Sequence, residues 1–296
     1  MILVVAANGN QGRQLIPKLV AHGVPVRACV RTEKSAAALR VAGVADVIVG
    51  DLAEPSTLER AVAEVAQVYH IGPACHPLER EIGIAMIDVA RAHGVEHFVY
   101  SSVLHAITTE LVQHQIKRDV EEHLLSSGLE FTILQPTNYM LPLKLRSAFQ
   151  HGVFRMSWSL DRQQSLVSVG DLTDVAVEVL LNGARHYGAT YELASSGRYT
   201  GYDIRDIIAR ATGRPIVAQT ISPDHYLRMV FGDFNDSDFT HQLRVHRSIS
   251  QRLSTHDFIG NSNVLEWLLG RKSTTFEEFV RQQYEIFSAE RAAAVA

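Results

Sequence analysis

Met1-Ile2-Leu3-Val4-Val5-Ala6-Ala7-Asn8-Gly9-Asn10-Gln11-Gly12-Arg13-Gln14-Leu15-Ile16-Pro17-Lys18-Leu19-Val20 opens the chain and decides its fold. Met1 to Val5 is an apolar run that reads as a buried strand, and Arg13 to Val20 has the spacing of a helix. The turn between them collects unpaired backbone N–H groups at the positive end of that helix, which is where a pyrophosphate binds. The loop has the spacing G-x-x-G-x-x-G with Ala6 in the first place, so Gly9 and Gly12 are the two glycines that remain. Gly9 allows close approach of backbone to phosphate and Gly12 allows the helix to pack on the strand, whereas Ala6 adds a methyl group to a tight turn. The plainer alternative is an ordinary strand-to-helix turn. The strand and helix patterns in the rest of the chain favour the dinucleotide.

Beyond the loop, β and α patterns alternate. Val26 to Val30, Asp46 to Gly50, Gln67 to Ile71, His97 to Ser101 and Phe131 to Gln135 read as strands, with helix patterns at about 34–42, 55–65, 78–93 and 109–126. Right-handed crossovers between such strands make a parallel sheet covered on both faces. The expected fold is therefore α/β, a doubly wound parallel sheet of the Rossmann type. After Gln135 the alternation weakens: Pro136 to Trp158 reads as loop with scattered aromatic residues, Ser165 to Val169 as a strand, Asp171 to Leu181 as a helix, and Thr190 to Ala194 as a strand returning to the sheet. Helical segments at Tyr202 to Thr212, His225 to Phe231, Phe239 to Leu253 and Phe276 to Phe287 are left for a smaller, mostly helical substrate lobe, and Ala292 to Ala296 reads as a frayed tail. The expected division is a dinucleotide-binding domain over 1–150, completed by about 165–195, and a substrate-binding lobe over 196–290 with the 136–164 region.

The 296 residues are 46% hydrophobic, enough for a sizeable core, and carry a net charge of −4, which provides no general basic surface for nucleic acid or anionic membrane. No apolar run approaches membrane-spanning length, and the expectation is a cytoplasmic protein acting on a small molecule. Cys29 and Cys75 are too few for a disulfide framework and read as reduced thiols.

Taken together, several stretches resemble the NmrA-like branch of the atypical short-chain dehydrogenases/reductases, with its triphenylmethane reductase-like and NADPH-sensor members. They are Gly9-Asn10-Gln11-Gly12, Val30-Arg31, Gly50-Asp51-Leu52, His97-Phe98-Val99-Tyr100-Ser101-Ser102-Val103, Lys117-Arg118-Asp119-Val120-Glu121, Gly128 to Pro136, Val169-Gly170-Asp171 and Gly270 to Phe279, covering nearly the whole chain. The resemblance implies pyrophosphate contacts from Gly9, Asn10, Gln11 and Gly12, a 2′-phosphate contact from Arg31, and adenine contacts from Asp51 and Leu52. It further implies that Gly72 and Ser101 flank the ribose and nicotinamide, that Lys117 lies near the nicotinamide ribose, and that Pro136 and Asn138 lie beside the ring. Each has a plainer reading: Asp51 caps the helix beginning near Pro55, Ser101 satisfies a strand-end backbone group, and Lys117 sits on a solvated helix face.

The cofactor expected is NADP(H), with NAD(H) as the other option. NAD-selective folds carry an acidic residue about twenty positions past the glycine loop, whereas here Arg31 stands at that place and its guanidinium suits a phosphate. Glu33 is the competing partner for Arg31. The Tyr-x-x-x-Lys of typical short-chain dehydrogenases is broken here, because Gln113 stands four residues before Lys117 and an amide is no general acid. His114 and Tyr139 are the other candidate proton donors beside a catalytic Lys117, and for His114 the surface reading is favoured. No metal site is expected, since no His-Glu-x-x-His occurs and His105, His114 and His123 do not share a helix-face ligand spacing.

Two functions remain. One is a reductase passing hydride from NAD(P)H to an apolar or aromatic acceptor, such as a quinone, dye or conjugated compound, which needs little protonation by the protein. The other is a non-catalytic sensor of the NADPH/NADP⁺ ratio. The reductase is the favoured reading.

Overall fold

The computed structural model describes residues 1–232 and 236–295. It forms two compact units, Met1–Pro136 with Val169–Leu193, and Thr137–Ser168 with Ala194–Ala296.

In the first unit the elements run β1 (Ile2–Val4), α1 (Gly12–Ala21), β2 (Val26–Val30), α2 (Glu33–Val41), β3 (Asp46–Val49), α3 (Pro55–Val62), β4 (Gln67–Ile71), α4 (Glu79–Ala92), β5 (His97–Ser101), α5 (Val112–Leu125) and β6 (Phe131–Pro136). The second unit begins with β7 (Asn138–Met140), α6 (Pro142–His151), β8 (Val153–Met156) and β9 (Leu166–Ser168); α7 (Val169–Leu181) and β10 (Ala189–Leu193) then return to the first. The remainder is α8 (Gly201–Thr212), β11 (Val217–Thr220), α9 (Pro223–Phe231), α10 (Asp236–Thr255), α11 (Asn263–Leu269) and α12 (Phe276–Val295).

Seven parallel strands form the main sheet in the order β10-β6-β5-β4-β1-β2-β3. Because Leu3, Val4, Val5, Val68, Tyr69, Phe98 and Val99 are all buried, these strands read as continuous apolar runs instead of alternating ones, as a sheet covered on both faces requires. Helix α3 packs on α4 and α4 on α5, while α1 packs on α7. One core beneath the sheet joins Leu58 and Val62 of α3, Met86 and Ile87 of α4, and Val120 and Leu124 of α5 to Phe98, Tyr100 and Ile133. This is the doubly wound fold. From β1 the chain steps outward through β2 to β3, then restarts at β4 and steps the other way to β6, so the order reverses between β1 and β4. Ligands of such sheets bind at the carboxyl ends of the strands flanking that reversal.

The second unit departs from the expected loop. Pro136 to Trp158 contains β7, α6 and β8, and β11 and α11 are further elements that the sequence pattern did not announce. Helix α6 has Pro142 in its first turn and Gly152 at φ 70° after its end, but Leu145, Ala148 and Phe149 give a single helical repeat and the exposed Leu143 lies off that face. Strand β8 pairs in parallel with β11, and β7 with β9. The tail reading is corrected too: α12 continues through Ala292 to Val295, and Ala296 lies outside the described residues. Among the described residues, no helix is long and apolar enough to cross a membrane.

Candidate cofactor site

At the carboxyl end of β1 the chain turns through Ala6 at φ 50°, a left-handed conformation held by a residue with a Cβ where glycine is the usual choice. The turn closes with the Gly9 N–H donating to the Ala6 carbonyl at 2.8 Å. A Cβ on Gly12 would lie 2.4 Å from the Ala7 carbonyl oxygen, so only glycine lets α1 start against this turn. Gln11 precedes the helix without any side-chain cap, and the first turn of α1 carries no acidic residue. The helix start therefore presents N–H groups and a positive dipole end that no carboxylate of its own first turn neutralises. Asn10 is exposed beside it.

Gln11 is different. Its side chain is buried: Nε2 donates to the Ser101 hydroxyl at 2.8 Å, and the Tyr69 hydroxyl donates to Oε1 at 2.6 Å. The Gln11 side chain thus ties the loop after β1 to β4 and β5, and only its backbone is left to face a ligand. Ser101 does more than satisfy a strand end, since its hydroxyl holds Gln11 and its carbonyl accepts from Lys117 Nζ at 3.3 Å.

Lys117 is 6% exposed, which overturns the solvated-face reading. Its Nζ lies 2.9 Å from Oε1 of Glu79, itself 1% exposed, and 5.3 Å from the centre of the Tyr100 ring. Glu79 also accepts from Gln113 Nε2 at 2.9 Å on each oxygen and from the Cys75 backbone N–H at 3.1 Å. An added Cβ on Gly72 would fall 2.8 Å from Glu79 Oε1 and 3.1 Å from Lys117 Nζ, so the glycine at the end of β4 is what makes room for the pair. Gln113, standing where a tyrosine is usual, is engaged as a donor to Glu79. Beneath this cluster His70 is fully buried and stacks on Tyr100; burial, with the Lys117 charge nearby, pushes its pKa down to about 3. Burial pushes the Cys75 thiol up to about 12.

His114 is 5% exposed, against the favoured surface reading. Its Nδ1 sits 2.9 Å from the His105 carbonyl, an acceptor only, so Nδ1 carries the proton in that contact. Along the same strand-end edge, Arg31 follows β2 and is exposed. Glu33 pairs with Arg40 and not with Arg31, and Arg31 forms no ion pair among the described residues. Asp51 follows β3 and accepts from the Ala53 N–H at 2.9 Å, so it shapes a local turn and does not cap α3, whose N-cap is Glu54. Leu52 packs partly on the core. Pro136 ends β6 in the first unit.

Asn138 and Tyr139 belong to the second unit, where Asn138 Nδ2 donates to Gln164 Oε1 at 3.1 Å and Tyr139 lines an aromatic pocket. The first unit thus brings together Gln11, Gly72, Ser101 and Lys117, and adds Tyr69 and Glu79, which the sequence reading missed. The one signal for Glu79 was an acidic residue opening the helix after Gly72, a pattern common at any helix start.

Residues 1–280 match the NmrA-like family. The chain belongs to the NmrA-like family. Among its NmrA-like relatives, the NAD(P)H azoreductase of Xenophilus azovorans is 27% identical over 98% of this chain and 100% of its own length. Quinone oxidoreductase 2 of Escherichia coli is 25% identical over 97% of this chain and 99% of its own. In fold, the chain superposes on the Citrobacter sp. triphenylmethane reductase in complex with NADP(H) with a TM-score of 0.79 at 24% identity, covering 95% of this chain and 99% of the other.

Proposed function

We propose that this NmrA-like protein is an NAD(P)H-dependent reductase that passes hydride to a small apolar or aromatic acceptor such as a quinone, a dye or another conjugated compound. The observation that carries the proposal is the glycine turn at the sheet's reversal point, where Gly12 admits nothing larger and the start of α1 is left uncapped. These residues fit a dinucleotide: Gly9, Asn10, Gly12 and the Gln11 backbone would hold the pyrophosphate, Arg31 a 2′-phosphate, and Asp51 with Leu52 the adenine end. Gly72 and Ser101 would flank the ribose, Lys117 would hold the nicotinamide ribose, and Pro136 would lie by the ring. When bound, the reduced cofactor supplies a hydride and the acceptor gains two electrons with it.

What the chain contributes is position and charge. Glu79 and the Ser101 carbonyl fix the Lys117 ammonium, and Glu79 is fixed in turn by Gln113 and the Cys75 N–H. A cation held in a buried site stabilises negative charge appearing on an acceptor without reorganising at the moment of reaction. Gln113 cannot donate a proton as an acid, so the acceptor class that fits is one whose reduced form takes its second proton from solvent. Full-length similarity to an azoreductase and a quinone reductase supports catalysis over a sensor role.

The test is NADPH oxidation by purified protein with a panel of quinones and azo and triphenylmethane dyes. Oxidation continuing beyond one equivalent per protein is expected. Stoichiometric binding of NADPH with no acceptor turned over would instead support the sensor.

A further inference from the structure

The second unit contains a narrow pocket walled by Tyr139, Phe154, Trp158, Tyr226 and Phe276, with Lys144 on its lining. Lys144 occupies the first turn of α6, a position where the helix dipole disfavours a cation, and that turn carries no acidic residue to offset it. Its Nζ makes no hydrogen bond or ion pair among the described residues. A half-buried lysine normally finds a carboxylate or carbonyl, or reaches water along its stem.

Among the described residues, no acidic group on the lining offsets the Lys144 charge. Arg155, the other cation on the lining, donates to the Ser147 hydroxyl at 2.6 Å. Tyr226 stacks on His246, with ring centres 5.0 Å apart and planes 12° apart, and the Ser157 hydroxyl holds the His246 Nε2 at 3.1 Å. Burial and the nearby Lys144 push the His246 pKa down to about 4, so this ring is neutral at pH 7. Burial lowers Lys144 itself only to about 8, which leaves its amine protonated at neutral pH. The pocket therefore has aromatic walls, a positive charge that no acidic side chain offsets among the described residues, and the positive end of a ten-residue helix.

We infer that this pocket binds a small aromatic anion, its ring between the aromatic side chains and its sulfonate, carboxylate or phenolate oxygen on the Lys144 ammonium. The ring contributes area and edge or face contacts, and the anion supplies the partner that Lys144 lacks. The inference concerns the second unit alone and does not depend on the reductase reading.

The experiment is calorimetric titration of the full chain at pH 7 with a matched pair, benzenesulfonate and its uncharged isostere benzenesulfonamide. Wild type should bind the sulfonate about tenfold more tightly, the scale of one hydrogen bond to a charged group. Lys144→Met should bring the two affinities to parity, and Lys144→Arg should keep the preference; circular dichroism establishes that each variant is folded. If Lys144→Met fails to fold, Lys144→Gln takes its place, and the wild-type comparison stands without any variant. Wild type that binds neither compound or shows no preference for the anion would overturn the inference, as would a folded Lys144→Met or Lys144→Gln protein that keeps the preference. NADPH oxidation with an uncharged quinone tests the reductase separately, so one idea can fail without the other.

Discussion

Glu79 and Lys117 should behave as one energetic unit. Glu79→Gln keeps the shape of the side chain but removes the negative charge from a site where Lys117, Gln113 and the Cys75 N–H all converge at 2.9–3.1 Å. With the two side chains 1% and 6% exposed, water cannot replace the lost partner. Removing one member of a buried pair costs about 3–5 kcal/mol, and the amide retains one acceptor oxygen, so about 3 kcal/mol is expected for Glu79→Gln. Lys117→Met leaves the carboxylate buried but still bonded to Gln113 and Cys75, and a similar loss of about 3 kcal/mol is expected. In the double variant neither charge remains, and the total should stay near about 3 kcal/mol instead of doubling, a coupling of about 3 kcal/mol. Urea unfolding followed by far-UV circular dichroism measures each midpoint and slope. Losses that add to within about 0.5 kcal/mol would refute the coupling, because independent sites add on that scale. Turnover gives the second readout: Lys117→Met should lose on the order of 10²-fold in rate, and Glu79→Gln should also lose rate as Lys117 leaves its place. Wild-type turnover in a folded Lys117→Met protein would end its assignment to the reacting end of the site.

Arg31→Ala should weaken NADPH binding by about tenfold or more, the worth of a charged hydrogen bond, and leave NADH binding nearly untouched in calorimetric titration; equal effects on both would remove the 2′-phosphate assignment. Gly12→Ala forces a Cβ to within 2.4 Å of the Ala7 carbonyl, so the start of α1 must shift and NADPH binding should be lost in a protein that still unfolds cooperatively. Acid should destabilise the fold through His70, His97 and His246, whose pKa values burial lowers from 6.5 to about 3, about 4 and about 4. All three bind a proton more readily when unfolded, so the stability they confer is complete above about pH 6.5 and is lost as pH falls toward their folded values, by about 2 kcal/mol each between pH 7 and pH 5. Urea midpoints at the two pH values check this, and His70→Phe should remove roughly a third of that histidine-linked loss; an unchanged difference would exclude His70 as a source.

Local order in the sequence determined the outline. An apolar run, a two-glycine turn and a helix period sit within the first twenty residues, and each depends on neighbours close in the chain, so the β1–α1 unit and most later strands are legible from residue type and spacing. Val26–Val30, Gln67–Ile71 and His97–Ser101 fall where the pattern puts them, since a strand buried on both faces is mostly apolar, with polar exceptions such as Arg27, His70 and His97 buried on hydrogen-bond or ring partners. The short α6 was not legible, because Leu145, Ala148 and Phe149 make a single helical repeat while the exposed Leu143 lies off that face. The interior of the site was not legible either. Gln11 meets Ser101 across 90 positions of sequence and Gln113 meets Glu79 across 34, and nothing local to either residue announces its partner. Lys117 and His114 lie in a polar helix whose charges suit a solvated face equally well. The packing of α5 against α4 and the ends of β4 and β5 buries Lys117, and the chain at His105 covers His114, because a helix pattern states which side chains share a face and not which neighbour that face will meet.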